Sequence, residues 1–253
     1  MMHRLFWSEI KKITSLSQFY GIISVLFLFL ALLVSYFFVV QNPATKFSAL
    51  DNRFDTVYIT VYMIFNISFF LWGILFVYSS TKEISPFILS NLYPIRLSTL
   101  LLVRFLVLYI LFFCCVLIAF CLLYVLVEYK FSKTMPLTVT EHRNFIYGYW
   151  MLASHFFILI LPFLLISYVL PFFVKSSSIR LALLFLMHIS SNYPGLTYNP
   201  FRLIISAFAT NHAILTGNHL YDLKDLAPKY VAAMGYVFLI SVFTFILLKR
   251  KEK

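Results

Sequence analysis

Charge is what this chain has least of. Asp, Glu, Lys and Arg together make up 11% of its 253 residues. A soluble domain carries about 25%, so a water-covered globular fold is excluded. Glycine is nearly as scarce. The six glycines are Gly21, Gly73, Gly148, Gly195, Gly217 and Gly235, and none belongs to a GxxxxGK[ST] pattern. The chain therefore has no phosphate-cradling loop of its own. GxSxG and HExxH are also absent, which removes the hydrolase nucleophile elbow and the helical zinc-protease motif. The three cysteines, Cys114, Cys115 and Cys121, fall within one apolar run and form no CxxC. They read as packing residues, because a stapling framework needs spaced partners. There is no internal repeat, no low-complexity tract and no soluble domain.

What remains is apolar. Hydrophobic residues make up 62% of the chain, and the mean hydropathy is +0.92. Phe and Tyr suit lipid-facing and interfacial positions. Six apolar runs can be drawn, at about residues 17–40, 57–79, 98–127, 147–174, 179 onward and 230–248. About 20 apolar residues cross a bilayer, so the reading is an all-α polytopic membrane protein with six spans. The first run is long enough to span and no small-residue cleavage site ends it, so it is a retained span. Pro162 and Pro171 lie inside the fourth run, where a missing backbone donor kinks a helix. The fifth is interrupted near Asn192-Tyr193-Pro194-Gly195. Residues 201–215 are too short to span comfortably and form either a seventh short span or a re-entrant outer segment before the last span; a seventh span would put Lys249-Arg250-Lys251 outside, so the re-entrant reading is preferred.

The net charge of +11 fits membrane orientation better than nucleic acid, because it is spread over short loops. With six spans and the N-terminus inside, the inner side holds Arg4, Lys11, Lys12, Lys82, Arg96, Arg104, Lys175, Arg180, Lys249, Arg250, Lys251 and Lys253. The outer side holds Lys46, Arg53, Lys130, Lys133, Arg143, Arg202, Lys224 and Lys229. That bias puts both termini in the cytoplasm. The long loops, residues 41–55, 128–146 and 192–229, then fall outside.

None of the nine acids lies in mid-span, which weakens an ion-coupled carrier. His155 and His188 are the only histidines within spans. Two histidines on different helices could hold a haem or a metal; the plainer role is hydrogen bonding between helices. Asn66 and Ser68 have the same plain role. His142, His212 and His219 stand in outer loops without ligand spacing. No cofactor is expected.

At the N-terminus, Leu5, Phe6, Ile10 and Ile13 alternate at helical spacing with Arg4, Glu9, Lys11 and Lys12. This predicts a helix lying in the interface, anchored by Arg4, Lys11 and Lys12. Between the second and third runs, Ile84, Phe87, Ile88, Asn91 and Leu92 recur at i, i+3, i+4, i+7 and i+8. A short amphipathic helix follows, with Pro86 in its first turn and Tyr93-Pro94 ending it. Arg104, one and a half turns into the third span, is expected to snorkel back to the interface. From periodicity alone this connection could equally be an ordinary surface helix.

These residues resemble the ABC-2 type permease family, the membrane subunits of one class of ATP-binding-cassette exporter. Lys82-Glu83 looks like the family's charged pair after the second span, and Ile88-Leu89 with Leu92 like the apolar face of the helix. Pro94-Ile95-Arg96 looks like the turn, and Leu100-Leu101-Leu102 with Arg104 like the opening of the third span. The motif covers residues 80–104; the layout covers 1–253 as a single transmembrane domain. The chain departs from the family at Ser85-Pro86, commonly Gly-Thr, and at Val103-Arg104, commonly Gly-Lys.

The resemblance implies a permease with no enzymatic activity of its own, exporting an amphiphilic substrate. ATP would be hydrolysed by a separate ATP-binding-cassette ATPase subunit, gripped through Lys82, Glu83, Phe87, Ile88 and Arg96. It also implies a second permease subunit, met through the first and fifth spans, and the bacterial cytoplasmic (inner) membrane. An intramembrane enzyme acting on lipid or peptide remains an alternative, as does a stand-alone carrier or scaffold.

Overall fold

The computed structural model describes residues 49–81, 97–190 and 226–251, with isolated positions 6–8, 10, 11, 20, 23, 24, 27, 199, 202, 203 and 206. All regular structure among the described residues is helical. The helices are α1 (Ala49–Thr81), α2 (Leu97–Thr134), α3 (Val139–Leu159), α4 (Leu161–Phe173), α5 (Ser177–Ser190) and α6 (Ala227–Lys251). Three candidate membrane spans arise from them: Thr99–Lys133, Val139–Phe173 across α3 and α4, and Ala227–Ile246. This is a helical protein with helices built to cross a bilayer. The first apolar run, the connection over residues 82–96 and the interruption at 192–195 lie outside the described residues, as do Arg4 and Lys12.

The helices run further than hydropathy predicts. Residues 41–55 and 128–146 read as loops because charge ends the apolar runs there. Instead α1 begins at Ala49, α2 continues to Thr134, and only a short turn separates it from α3. Charge stops an apolar run but not a helix, since Glu, Lys and Arg are good helix formers. The start of α3 is fixed locally. The Thr138 side chain accepts a hydrogen bond from the Glu141 backbone N–H, and the Thr138 backbone N–H donates to the Glu141 carboxylate at 2.9 Å. This capping box satisfies orphan donors of the first turn.

The helix of the fourth run is interrupted near its first proline. Pro162 lacks the N–H that would bond back one turn. The helix breaks at Ile160, between α3 and α4, whereas Pro171 stays inside α4.

Aromatic contacts fix the directions. Tyr124 stacks on Phe145, and Phe120 packs edge-on against Tyr149, one turn earlier on α2 and one turn later on α3. Phe112 stacks on Phe156, and the Tyr168 hydroxyl donates to the Leu101 carbonyl at 3.0 Å. So α2 runs antiparallel to α3–α4 along its whole length, in one register through the break. The Tyr109 hydroxyl donates to the Phe157 carbonyl at 3.0 Å, close to where proline removes a backbone donor. Phe54 meets Phe145 and Phe76 meets Tyr168, so α1 runs parallel to α3–α4. His155 meets Tyr230 and Phe173 stacks on Phe243, so α6 also runs parallel to it. The α3–α4 pair lies at the centre of the bundle, with α6 exposed along nearly all of its length. Those exposed apolar side chains suit lipid.

Two ends follow. One carries Arg53, Glu128, Lys130, Lys133, Glu141, His142 and Arg143. The other carries Thr81, Leu97, Lys175, Arg180 and the C-terminal end of α6. On α2, the stretch 105–127 between Arg104 and Glu128 carries no charge. At 1.5 Å per residue it is about 34 Å long, close to a hydrocarbon core of about 30 Å.

Candidate functional site

Of the residues implied in ATPase coupling, Lys82, Glu83, Phe87, Ile88 and Arg96 lie outside the described residues. What is fixed is the position of the helix ends they join. Thr81 and Leu97 end an antiparallel pair, at the end away from Arg53. Near the N-terminus, Phe6, Trp7, Ser8, Ile10 and Lys11 are helical. Phe6 and Ile10, one turn apart, pack on the core, while Trp7, Ser8 and Lys11 are exposed. Arg104 sits in the second turn of α2 and is covered by protein at 6% exposure, rather than projecting from it. Arg180 is buried too; its guanidinium donates to the Val174 carbonyl at 2.6 Å and to the Lys175 carbonyl, closing the turn between α4 and α5.

Two polar clusters stand out. The first is at the charged end. Arg53, on the first turns of α1, is 1% exposed. Its Nε lies 3.7 Å from the Glu128 carboxylate of α2, and its Nη1 donates to the Met135 carbonyl at 3.1 Å. The guanidinium also lies over the rings of Phe131 and Phe145 at 5.7 and 5.9 Å. Burial pushes Arg53 below its ordinary value, while the carboxylates of Glu128 and Glu141 pull the other way. His142 Nδ1 lies 3.8 Å from the same Glu128 oxygen. One arginine thus ties α1 to the α2–α3 hairpin. The sequence places Arg53 and Glu128 at the same side of the membrane but gives no sign of their pairing.

The second cluster is halfway along the bundle. His155 is 6% exposed, and among the described residues neither ring nitrogen has a hydrogen-bond partner. Its ring lies 5.4 Å from that of Tyr230, and the ammonium of Lys229 is close enough to act on it electrostatically. Lys229 Nζ donates to the Ser206 carbonyl at 2.9 Å. Sequence reasoning places Lys229 in an outer loop. Here the first turn of α6 reaches only the middle of Val139–Phe173, so Lys229 sits at that depth. The flanking Pro228 marks a helix start but carries no information about depth. Of the segment expected to be re-entrant, Arg202, Leu203 and Ser206 are described; all are helical, and Leu203 is fully buried in the core.

His188 is partly buried in the last turn of α5. Among the described residues, no three of His, Cys, Asp or Glu come together as a metal site. Cys114 and Cys121 are exposed and Cys115 is partly buried, all as free thiols. Compared with family models, curated proteins and solved structures, the chain matches none of them.

Proposed function

We propose that this chain is the permease subunit of an ABC-2 type transporter, exporting an amphiphilic substrate with ATP hydrolysed by a separate subunit. It lies in the bacterial cytoplasmic membrane with six spans and both termini in the cytoplasm, and pairs with a second permease. The observation that carries the reading is the position of the Lys82–Glu83 to Pro94-Ile95-Arg96 pattern. It joins two long antiparallel helices at the end that also carries Lys175, Arg180 and the basic tail of α6. A cytoplasmic ATPase would meet the chain there, and the basic residues suit that side. The helix directions support the topology: α1, α3–α4 and α6 share one direction and α2 opposes them.

The Glu83→Lys and Phe87→Ala variants test this reading. Breaking a charge pair at an interface costs about 2–5 kcal/mol. Glu83→Lys should therefore loosen ATPase co-purification or uncouple hydrolysis from transport, at normal membrane levels of the permease. Wild-type values for both variants would make this connection a plain linker.

A further inference from the structure

A buried arginine needs an account of its charge as well as of its hydrogen bonds. Arg180 is 8% exposed. Its Nε and Nη2 donate to the Val174 and Lys175 carbonyls, and Nη1 makes no bond. Among the described residues, neither Arg180 nor Lys175, whose carbonyl it holds, has a carboxylate partner. The sequence explains this, since no Asp or Glu occurs between Glu141 and Asp222. The carbonyls satisfy the donors they meet but carry no net charge. Two positive charges therefore stand at the turn between α4 and α5 without an ion pair.

The same turn begins α5. A helix start leaves its first backbone N–H groups without intrahelical partners and carries the positive end of the helix dipole. The Ser176 hydroxyl accepts from the Ile179 N–H at 3.5 Å, and the Ser176 carbonyl accepts from the Arg180 N–H at 3.2 Å. The N–H groups of Ser177 and Ser178 make no bond. Lys175, Ser176, Ser177 and Ser178 are all exposed. Side chains on a helix lean towards its N-terminus. Arg180 leans far enough to bond residues five and six places back, which brings its guanidinium in front of the helix start.

One guanidinium, one ammonium, two backbone donors and three hydroxyls thus belong to one short turn. That set suits an anion with oxygens on several sides. Phosphate binds at helix starts and pairs with arginine through more than one bond. A carboxylate, with two oxygens, would leave most of these donors unused. Lys175 is also the first Lys or Arg after Arg143. The turn therefore marks the end of an apolar span, where the headgroup region of a bilayer begins.

We propose that the α4–α5 turn binds a phosphate group through Arg180, Lys175 and the N–H groups of Ser177 and Ser178. The phosphate belongs to the headgroup of an anionic lipid or is free. The inference rests on the membrane-spanning helices and is independent of ATP coupling.

The test is the unfolding temperature of the full-length protein, purified in neutral detergent. Phosphatidylglycerol, phosphatidylcholine and inorganic phosphate are titrated separately. A ligand bound only by the native state raises that temperature with its concentration. We expect a saturable rise with phosphatidylglycerol and none with phosphatidylcholine, whose headgroup carries no net charge. Arg180 itself closes the turn, so the decisive variant leaves it in place. Lys175→Gln removes the ammonium, and Ser177→Pro removes one N–H where the first helical turn tolerates proline. Both positions are exposed, so the double variant without ligand should unfold at the wild-type temperature. Its apparent affinity for phosphatidylglycerol should fall about tenfold or more, as charge-assisted bonds are lost. Exchanging Lys249, Arg250 and Lys251 together for glutamine should leave the response unchanged. An equal response to inorganic phosphate identifies the free ion as sufficient; a response to the lipid alone identifies the headgroup. The proposal is overturned if the double variant binds as wild type does, if the response is lost with the basic tail, or if neither phosphate source shifts wild type. Each of these results leaves the ATPase co-purification test untouched.

Discussion

Gly73 of α1 lies against Phe163 of α4 so closely that a Cβ on Gly73 would come within 2.6 Å of the ring Cζ. Ser167, fully buried, would be 3.5 Å away. Two parallel helices touch closely here, just beyond the break at Ile160. Small residues let membrane helices approach in this way.

The first prediction concerns that crossing. In an exposed helix, Gly→Ala gains about 1 kcal/mol, whereas overpacking a filled core costs about 1–3 kcal/mol. The crowding decides the sign here, so Gly73→Ala should destabilise the protein by up to about 2 kcal/mol. Phe163→Leu frees the space, and Gly73→Ala in that background should be neutral or stabilising. Unfolding of the four proteins in mixed micelles gives the cycle; additive effects would show that the two residues do not interact.

The second prediction concerns Arg53 and Glu128. A buried charge stripped of its partner costs about 3–5 kcal/mol. The side chain of Glu128 is 22% exposed, and water there screens part of the loss. Glu128→Gln should therefore cost about 1–3 kcal/mol. Arg53→Met should cost less, since the carboxylate it leaves unpaired is 22% exposed as a side chain, whereas Arg53 is 2% exposed, and the new side chain can lie between Phe131 and Phe145. Equilibrium unfolding measures both, and a larger loss for Arg53→Met would mean that its bond to the Met135 carbonyl outweighs the ion pair.

The third prediction concerns orientation. The His142 side chain is 45% exposed at the Arg53 end, and α6 finishes at the opposite end. With the native cysteines replaced by alanine, His142→Cys should react in intact cells with a membrane-impermeant maleimide. Lys253→Cys should react only after permeabilisation. The reverse pattern would turn the molecule over.

The apolar runs were enough to determine a helical protein with helices long and apolar enough to cross a membrane, because the chain is so poor in charge. They also located α2, the interrupted α3–α4 pair and α6, since long apolar helices need no partner to be recognised. Their ends were less legible. Thr138 with Glu141 is a readable capping signal at the start of α3, but hydropathy weighs the charge there and not the cap. The extension of α2 past Glu128 is carried by helix-forming Glu and Lys, which hydropathy counts only as an interruption.

Only the tertiary structure decided which polar residues meet. Arg53 and Glu128 are 75 residues apart in the chain, and His155 and Lys229 are 74. Nothing local distinguishes Lys229 from any basic flank of a span. Its depth follows from where α6 begins against α3–α4, a relation set by helix packing. Sequence governs the length and polarity of each helix; packing governs the level at which their side chains face one another, and with it the chemistry of the bundle's interior.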